Sequence, residues 1–180
     1  MTPTRSHLRT LRASRARSAK PARGRRRQWG VATLEFAFIA PVLFFLLCMI
    51  MDLGLAMWVN LTMQYAVREG ARYAVTGQTN LDPNQSSPQR YLAVIQEIKD
   101  QSMGLYNLVN PSYVITVNSG TSQTYSTSSS YSTNMFGNPG DIVVLQINCA
   151  WPMITPMIRS FFPGGFFNFS VAATMRNEGY

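Results

Sequence analysis

Glu35 is the residue of this chain whose position most needs a chemical reason. It stands in GVATLEFAFIAPVLFFLL, with apolar residues on both sides. A carboxylate held in hydrocarbon costs at least a few kcal/mol, so it ordinarily has a partner or a task. One account places Glu35 at a membrane surface, in the first turns of a helix whose dipole favours negative charge there. A second account begins at Gly30. A cut after Gly30 would free the amine of Val31 and make Glu35 the fifth residue of the new chain. About one helical turn separates the two groups. The new ammonium of one subunit could then pair with Glu35 of a neighbour, neutralising both in lipid and fixing the axial step between their helices. Gly30, having no side chain, suits close approach of a protease to the backbone.

Catalysis has no comparable constellation. The sole histidine, His7, lies in a basic tail, and no Ser, Cys or Lys nucleophile has a candidate base. There is no phosphate-cradling glycine loop, no metal-ligand spacing and no cofactor motif, so the expectation is a protein that is not an enzyme. Cys48 and Cys149 give no disulfide framework. Cys48 lies in the apolar run, and pairing it with Cys149 would pull that run out of a membrane. Two free thiols are expected.

The element that must position Glu35 is a long helix. Phe36 to Met51 has no charged residue, and Asp52 follows. Residues 31–59 are enough to span a hydrocarbon core ~30 Å thick, which needs ~20 helical residues. Pro41 is tolerated there as a kink. Beyond the membrane, Val59, Met63, Ala66, Gly70 and Tyr73 recur at steps of three and four, which is one helical face. Gln64, Arg68 and Arg72 take another. Residues 60–77 are read as a projecting continuation with Gly77 as its stop. A helix from Val31 to Thr76 would be roughly 70 Å long. Asp52 would lie roughly 25 Å along the axis from Glu35, near the outer interface, where it snorkels to water or meets a partner. Gly70 and Ala71 allow another element to pack closely. Arg72, with Arg68, reads as a solvated face or a contact. Trp58 reads as an interfacial anchor.

Residues 78–180 read as a separate α+β domain. A linker dense in turn formers precedes a short amphipathic helix marked by Tyr91, Val94, Ile95 and Ile98, ending near Gly104. Strands are expected at Tyr113–Val117, Asp141–Ala150 and Phe166–Arg176, with Trp151-Pro152 ending the central one. Residues 118–140, rich in Ser and Thr, read as a long mobile surface loop. Phe161, Phe162, Phe166, Phe167 and Phe169 read as core, or as a protein contact patch if exposed. The fold class is therefore α+β and membrane-anchored: a long N-terminal transmembrane helix continues into a small domain with a second helix and an antiparallel sheet.

Charge sets the orientation. The formal net charge is +8, yet residues 1–30 hold ten Lys or Arg and no acid. From Val31 onward six basic and eight acidic residues leave a balance of −2. The positive-inside rule puts the basic leader in the cytoplasm and the sheet domain across the membrane. The leader's composition suits disorder. A secretory signal peptide fits poorly, because the apolar run is long and no A-x-A site follows it; a mitochondrial transit peptide is the other targeting reading. Non-specific nucleic-acid binding is not expected, since no aromatic residue interleaves with the arginines before Trp29.

Taken together, these residues resemble a known pattern. Gly30, four residues, then Glu35-Phe36, after a basic leader and before a long apolar helix, looks like the prepilin-peptidase site of type IV pilin-like proteins. GVATLEFAFIAPVLFFLLCMIMDLG, the segment YAVREGARYAV from Tyr65 to Val75, and the ending TMRNE at Thr174 to Glu178 resemble the TadE-like family of the Tad (tight adherence) pilus system. The resemblance is close over Gly30 to Gly77 and looser elsewhere. It implies a pseudopilin or minor pilin of Flp-type pilus biogenesis, in a bacterial inner membrane, acting in adhesion and biofilm formation. Its partners would be a prepilin peptidase, other pilin-like subunits, the inner-membrane assembly platform and the lipid bilayer. Gly30 would precede the cut, Val31 would be the new N-terminus, and Glu35 with Phe36 would serve peptidase recognition and assembly. The alternative is an uncleaved single-pass anchor that displays a small periplasmic domain for binding or sensing.

Overall fold

The structure, a computed structural model, describes residues 25–179, with backbone alone for residues 25–29. It divides into two units, Met1–Val42 and Leu43–Tyr180. The leader expected to be disordered falls largely on residues 1–24, which lie outside the described residues.

In the first unit the described residues are the opening turns of helix α1, Arg25–Val75. The helix begins at Arg25 and not at Val31, so residues 25–30, assigned above to the leader, are helical. The reason is local. Arg and Gln are good helix formers, and Gly30, set between them and an apolar run, costs only ~1 kcal/mol in a helix interior. Pro41 lies inside α1. From Gly30 the helix is long and apolar enough to cross a membrane, and its most apolar stretch is not buried against any other part of the chain.

The second unit holds the rest of α1, helix α2 (Arg90–Gln101) and a sheet of four antiparallel strands. These are β1 (Ser112–Val117), β2 (Gln123–Tyr125), β3 (Ile142–Pro152) and β4 (Phe166–Arg176), in the order β2-β1-β3-β4. A one-turn helix, α3 (Pro156–Arg159), interrupts the connection from β3 to β4. α1 ends after Val75 because Gly77 turns left-handed at φ 68°, with its N–H bonded to the Ala74 carbonyl.

Alternation along β3 decides the inner face. Val143, Leu145, Ile147 and Cys149 are buried, while Ile142 and Asn148 on the opposite face are exposed. Register extends that layer across the sheet, with Tyr113 opposite Ile147 and Tyr125, and Val171 opposite Ile147 on the other side. The layer joins one core with Val59, Met63, Ala66, Val67 and Ala74 of α1 and Val94, Ile95 and Ile98 of α2. Val59, Met63 and Val67 have no exposed surface. Burying such a side chain contributes ~1.5–3 kcal/mol. Three of them therefore rival the ~5–15 kcal/mol net stability of a whole domain. The sheet depends on α1 for its core.

Residues 118–140, read above as a surface loop, are largely irregular but not featureless. They contain β2, which continues the sheet from a tight turn at Asn118 and Ser119, both at positive φ, closed by Gly120 N–H on the Val117 carbonyl at 2.9 Å. Tyr125, Met135 and Phe136 from this stretch are buried. A short edge strand has one flank open to water, so Gln123 and Thr124 suit it despite their polarity. The aromatic run is divided between core and surface. Phe161 is exposed and Phe162, Phe166, Phe167 and Phe169 are half-buried; Phe162, Phe167 and Phe169 form a ladder of adjacent rings on the sheet.

Candidate functional site

Two groups of residues were singled out, one in each unit. In the first, Gly30, Val31, Glu35 and Phe36 follow one another along α1. All four are exposed. A Cβ built on Gly30 would meet nothing within 4 Å. Val31 and Glu35 are four apart and share a helical face. The four residues thus present an exposed helix surface.

The second group is built into the domain. Asp52 does not snorkel to water. It is 4 % exposed, and its carboxylate accepts a hydrogen bond of 2.9 Å from the backbone N–H of Thr155, just before α3. The partner is therefore within the chain. The cause is phase. Asp52 lies one turn before Ala56, which together with Val59, Met63, Ala66, Gly70 and Ala74 forms the buried stripe of α1. Carrying that stripe one turn back would have placed Asp52 under the domain from sequence alone.

Gly70 is where α2 crosses α1. A Cβ on it would lie 2.2 Å from Cγ1 of Ile98, far inside van der Waals contact. Ala71 is buried, and with Arg68, Arg72, Val75 and the β4 residues Ala173, Thr174 and Met175 it lines an open groove of roughly 350 Å³. Arg72 is exposed and pairs with Glu69 at 3.0 Å, an i,i+3 contact on the helix surface. Such an exposed pair contributes little to stability.

Arg90, which carries no sequence motif, is a centre of the domain. Its guanidinium donates to the Ala74 carbonyl from Nε at 3.1 Å and Nη2 at 2.7 Å, to the Gly137 carbonyl from Nη1 at 2.9 Å, and to Oδ1 of Asn177 at 2.9 Å. A cation is favourable at the last carbonyls of α1. Asn177 is buried and its Nδ2 donates to the carbonyls of Phe136 and Asn138. Glu178 N–H reaches the Val75 carbonyl at 3.2 Å. The TMRNE ending therefore ties the sheet to the end of α1. The sequence signal was present in that motif, but its partners lie up to 103 residues away. Asp82 does similar work ahead of α2: it is buried, and its carboxylate accepts from the N–H of Asn84 in the preceding loop and from that of Gln89, the residue before the helix.

Three titratable groups in the core are held neutral by burial. Burial raises the phenols of Tyr106 and Tyr113, whose hydroxyls meet at 2.7 Å. Cys149 is buried and unpaired, and burial pushes its thiol up to about 12. Its thiolate is therefore scarce at pH 8, and a maleimide added to folded protein should leave Cys149 unmodified while reacting fully in denaturant. The sign of the pH dependence follows. The unfolded chain's thiol ionises near 9 and the folded one near 12, so this contribution to stability is intact below pH 9 and falls as pH rises between them. Ready labelling of native protein at pH 8 would contradict the burial. Asp141 goes the other way: hydrogen bonds from Asn138 N–H and Asn118 Nδ2 lower its carboxyl pKa. Among the described residues no group of three or more His, Cys, Asp or Glu stands close enough to hold a metal ion.

Comparison with known families adds one finding. The model of the family described as TadE-like protein matches residues 30–72, from Gly30 through Arg72. No curated protein and no solved structure matches the chain.

Proposed function

We propose that this chain, whose residues 30–72 match the TadE-like family, a family tied to the Tad pilus in a pilin-like role, is a pseudopilin or minor pilin of Flp-type pilus biogenesis. A prepilin peptidase cuts after Gly30. Val31 becomes the N-terminus, and Glu35 meets that new ammonium on a neighbouring pilin-like subunit. Phe36 completes the recognition sequence. The ten basic residues of positions 1–30 hold the leader in the cytoplasm, and the sheet domain lies in the periplasm. Assembly proceeds on an inner-membrane platform and serves adhesion.

The observation that carries this reading is the placement of Gly30, Val31, Glu35 and Phe36. They are exposed, at the head of a helix that can span a membrane, inside the family-matched segment. Cleavage requires the backbone to leave the helix locally, and Gly30 is the residue of the first turns with the weakest helical preference. The test is the N-terminal sequence or intact mass of protein purified from membranes of cells with an active prepilin peptidase. A chain starting at Val31 is expected; a full-length chain alone would refute cleavage.

A second reading has one observation in its favour. Gly30 lies inside α1, five residues after its start, and not at an extended boundary. An uncleaved single-pass anchor carrying the same domain would keep that helix whole. The same mass measurement separates the two.

A further inference from the structure

The connection between β3 and β4, residues 153–165, has the sequence MITPMIRSFFPGG. Its inner side is buried through Met153 and Ile158, at 0 % and 2 % exposure. Its outer side is apolar and bare: Ile154 is 56 %, Met157 64 % and Phe161 75 % exposed. Arg159 is the segment's single charged residue, and its Nε donates to the Met153 carbonyl at 2.6 Å. Exposed apolar groups clustered on one short segment mark a contact with something other than water.

Two contacts say what that is. The segment is fixed to α1 by the bond from Thr155 N–H to the buried Asp52 carboxylate. Farther along, the Phe161 ring lies 6.2 Å, centroid to centroid, from the ring of Phe45. Phe45 belongs to the uncharged run Phe36–Met51, and its neighbours Phe44, Leu46, Leu47 and Ile50 are all exposed. Phe45 precedes Asp52 by seven residues, about 10 Å of helix. A bilayer that covers α1 up to Met51 must therefore also cover Phe161. Amphipathic segments at a membrane surface sink ~5–10 Å to the boundary of headgroups and acyl chains, which is the depth this geometry requires.

We infer that residues 153–165 are a second membrane-contacting element, which inserts Phe161, Met157 and Ile154 into the outer leaflet beside α1. Arg159 runs its stem along the apolar layer and presents its guanidinium to lipid phosphates. The domain is thereby held against the bilayer at two points, α1 and this segment. The inference rests on α1 being a membrane span, and the test separates the two claims.

The experiment places a nitroxide label at Phe161→Cys in the full chain carrying Cys48→Ala, Cys149 being buried and shielded from the reagent. The protein is reconstituted in vesicles of phosphatidylethanolamine and phosphatidylglycerol. Label at Phe44→Cys is the lipid reference and label at Ser128→Cys the aqueous one. At position 161 collision with oxygen should exceed collision with a water-soluble nickel chelate severalfold, as at position 44 and opposite to position 128. An aqueous profile at 161 with a lipid profile at 44 overturns the inference and leaves the span standing. Aqueous profiles at both overturn the inference together with the span. Shielding from both reagents with spin–spin broadening would assign the surface to a second copy of the chain and overturn it too.

Discussion

A chain carrying Glu35→Ala is expected to insert in the membrane as the unaltered protein does and to fail in pilus assembly. Insertion should survive because the substitution removes a charge from an apolar stretch and leaves the rest of that stretch intact. Assembly should fail because the proposed ammonium of Val31 in the neighbouring subunit loses its counter-charge. Truncating one partner of a desolvated charge pair costs ~2–5 kcal/mol, and each 1.4 kcal/mol is about tenfold in affinity. Association of the subunit should therefore weaken by roughly thirtyfold or more. Glu35→Gln, which keeps the shape and a hydrogen-bonding group, should restore little of it if charge is what matters. The readout is co-purification with other pilin-like subunits and pilus number per cell. Normal piliation in Glu35→Ala would remove the charge pair from the mechanism. Because Glu35 is exposed on its helix, loss of assembly cannot be explained by loss of the domain's fold.

The second large effect concerns Gly70. Gly70→Leu should unfold the domain at ambient temperature, since even a single methyl at that position lies 2.2 Å from Ile98 Cγ1 and 2.9 Å from its Cδ1. Gly70→Ala is the more informative change. It gains ~1 kcal/mol of helix propensity and loses ~1–3 kcal/mol to overpacking, so it should be neutral to destabilising by ~2 kcal/mol. Ile98→Ala removes both clashing carbons and leaves Cβ, which lies at 3.6 Å. In that background Gly70→Ala should become stabilising by up to ~1 kcal/mol. Urea titration of the four members of the cycle checks the reversal of sign. Additivity would mean that α2 does not rest on Gly70.

Much of the fold was written in local patterns. The apolar run of α1, the α2 periodicity and the three long strands each repeat over enough residues to be read without tertiary knowledge, and Gly77 stops α1 as a left-handed glycine should. β2 was hidden because three residues of which two are polar carry no periodicity. Only the Asn118-Ser119-Gly120 turn announced it, and its cue was masked by the surrounding serines. Asp52 was left open between water and a partner for a different reason. Its role follows from the phase of the buried stripe together with a backbone N–H 103 residues away, and a sequence displays the first without the second. Arg90 shows the same limit, since an arginine opening a helix gives no sign that its guanidinium will close the far end of another. Of the candidate site, the placement of Gly30, Val31, Glu35 and Phe36 along one helix was legible because spacing within a single helix is local.

The burial of one α1 stripe between Asp52 and Ala74 also governs how this molecule would bear load. In a protein whose domain hangs from its anchor by a linker, pulling first straightens the linker and then tears the domain from one end. Here the stripe of α1 is part of the core, and Arg90 and Asn177 fasten its last turn to the sheet. Tension between the domain and its anchor becomes shear along the length of the stripe, which every buried side chain resists at once. The anchor and the domain should part only when the domain itself gives way.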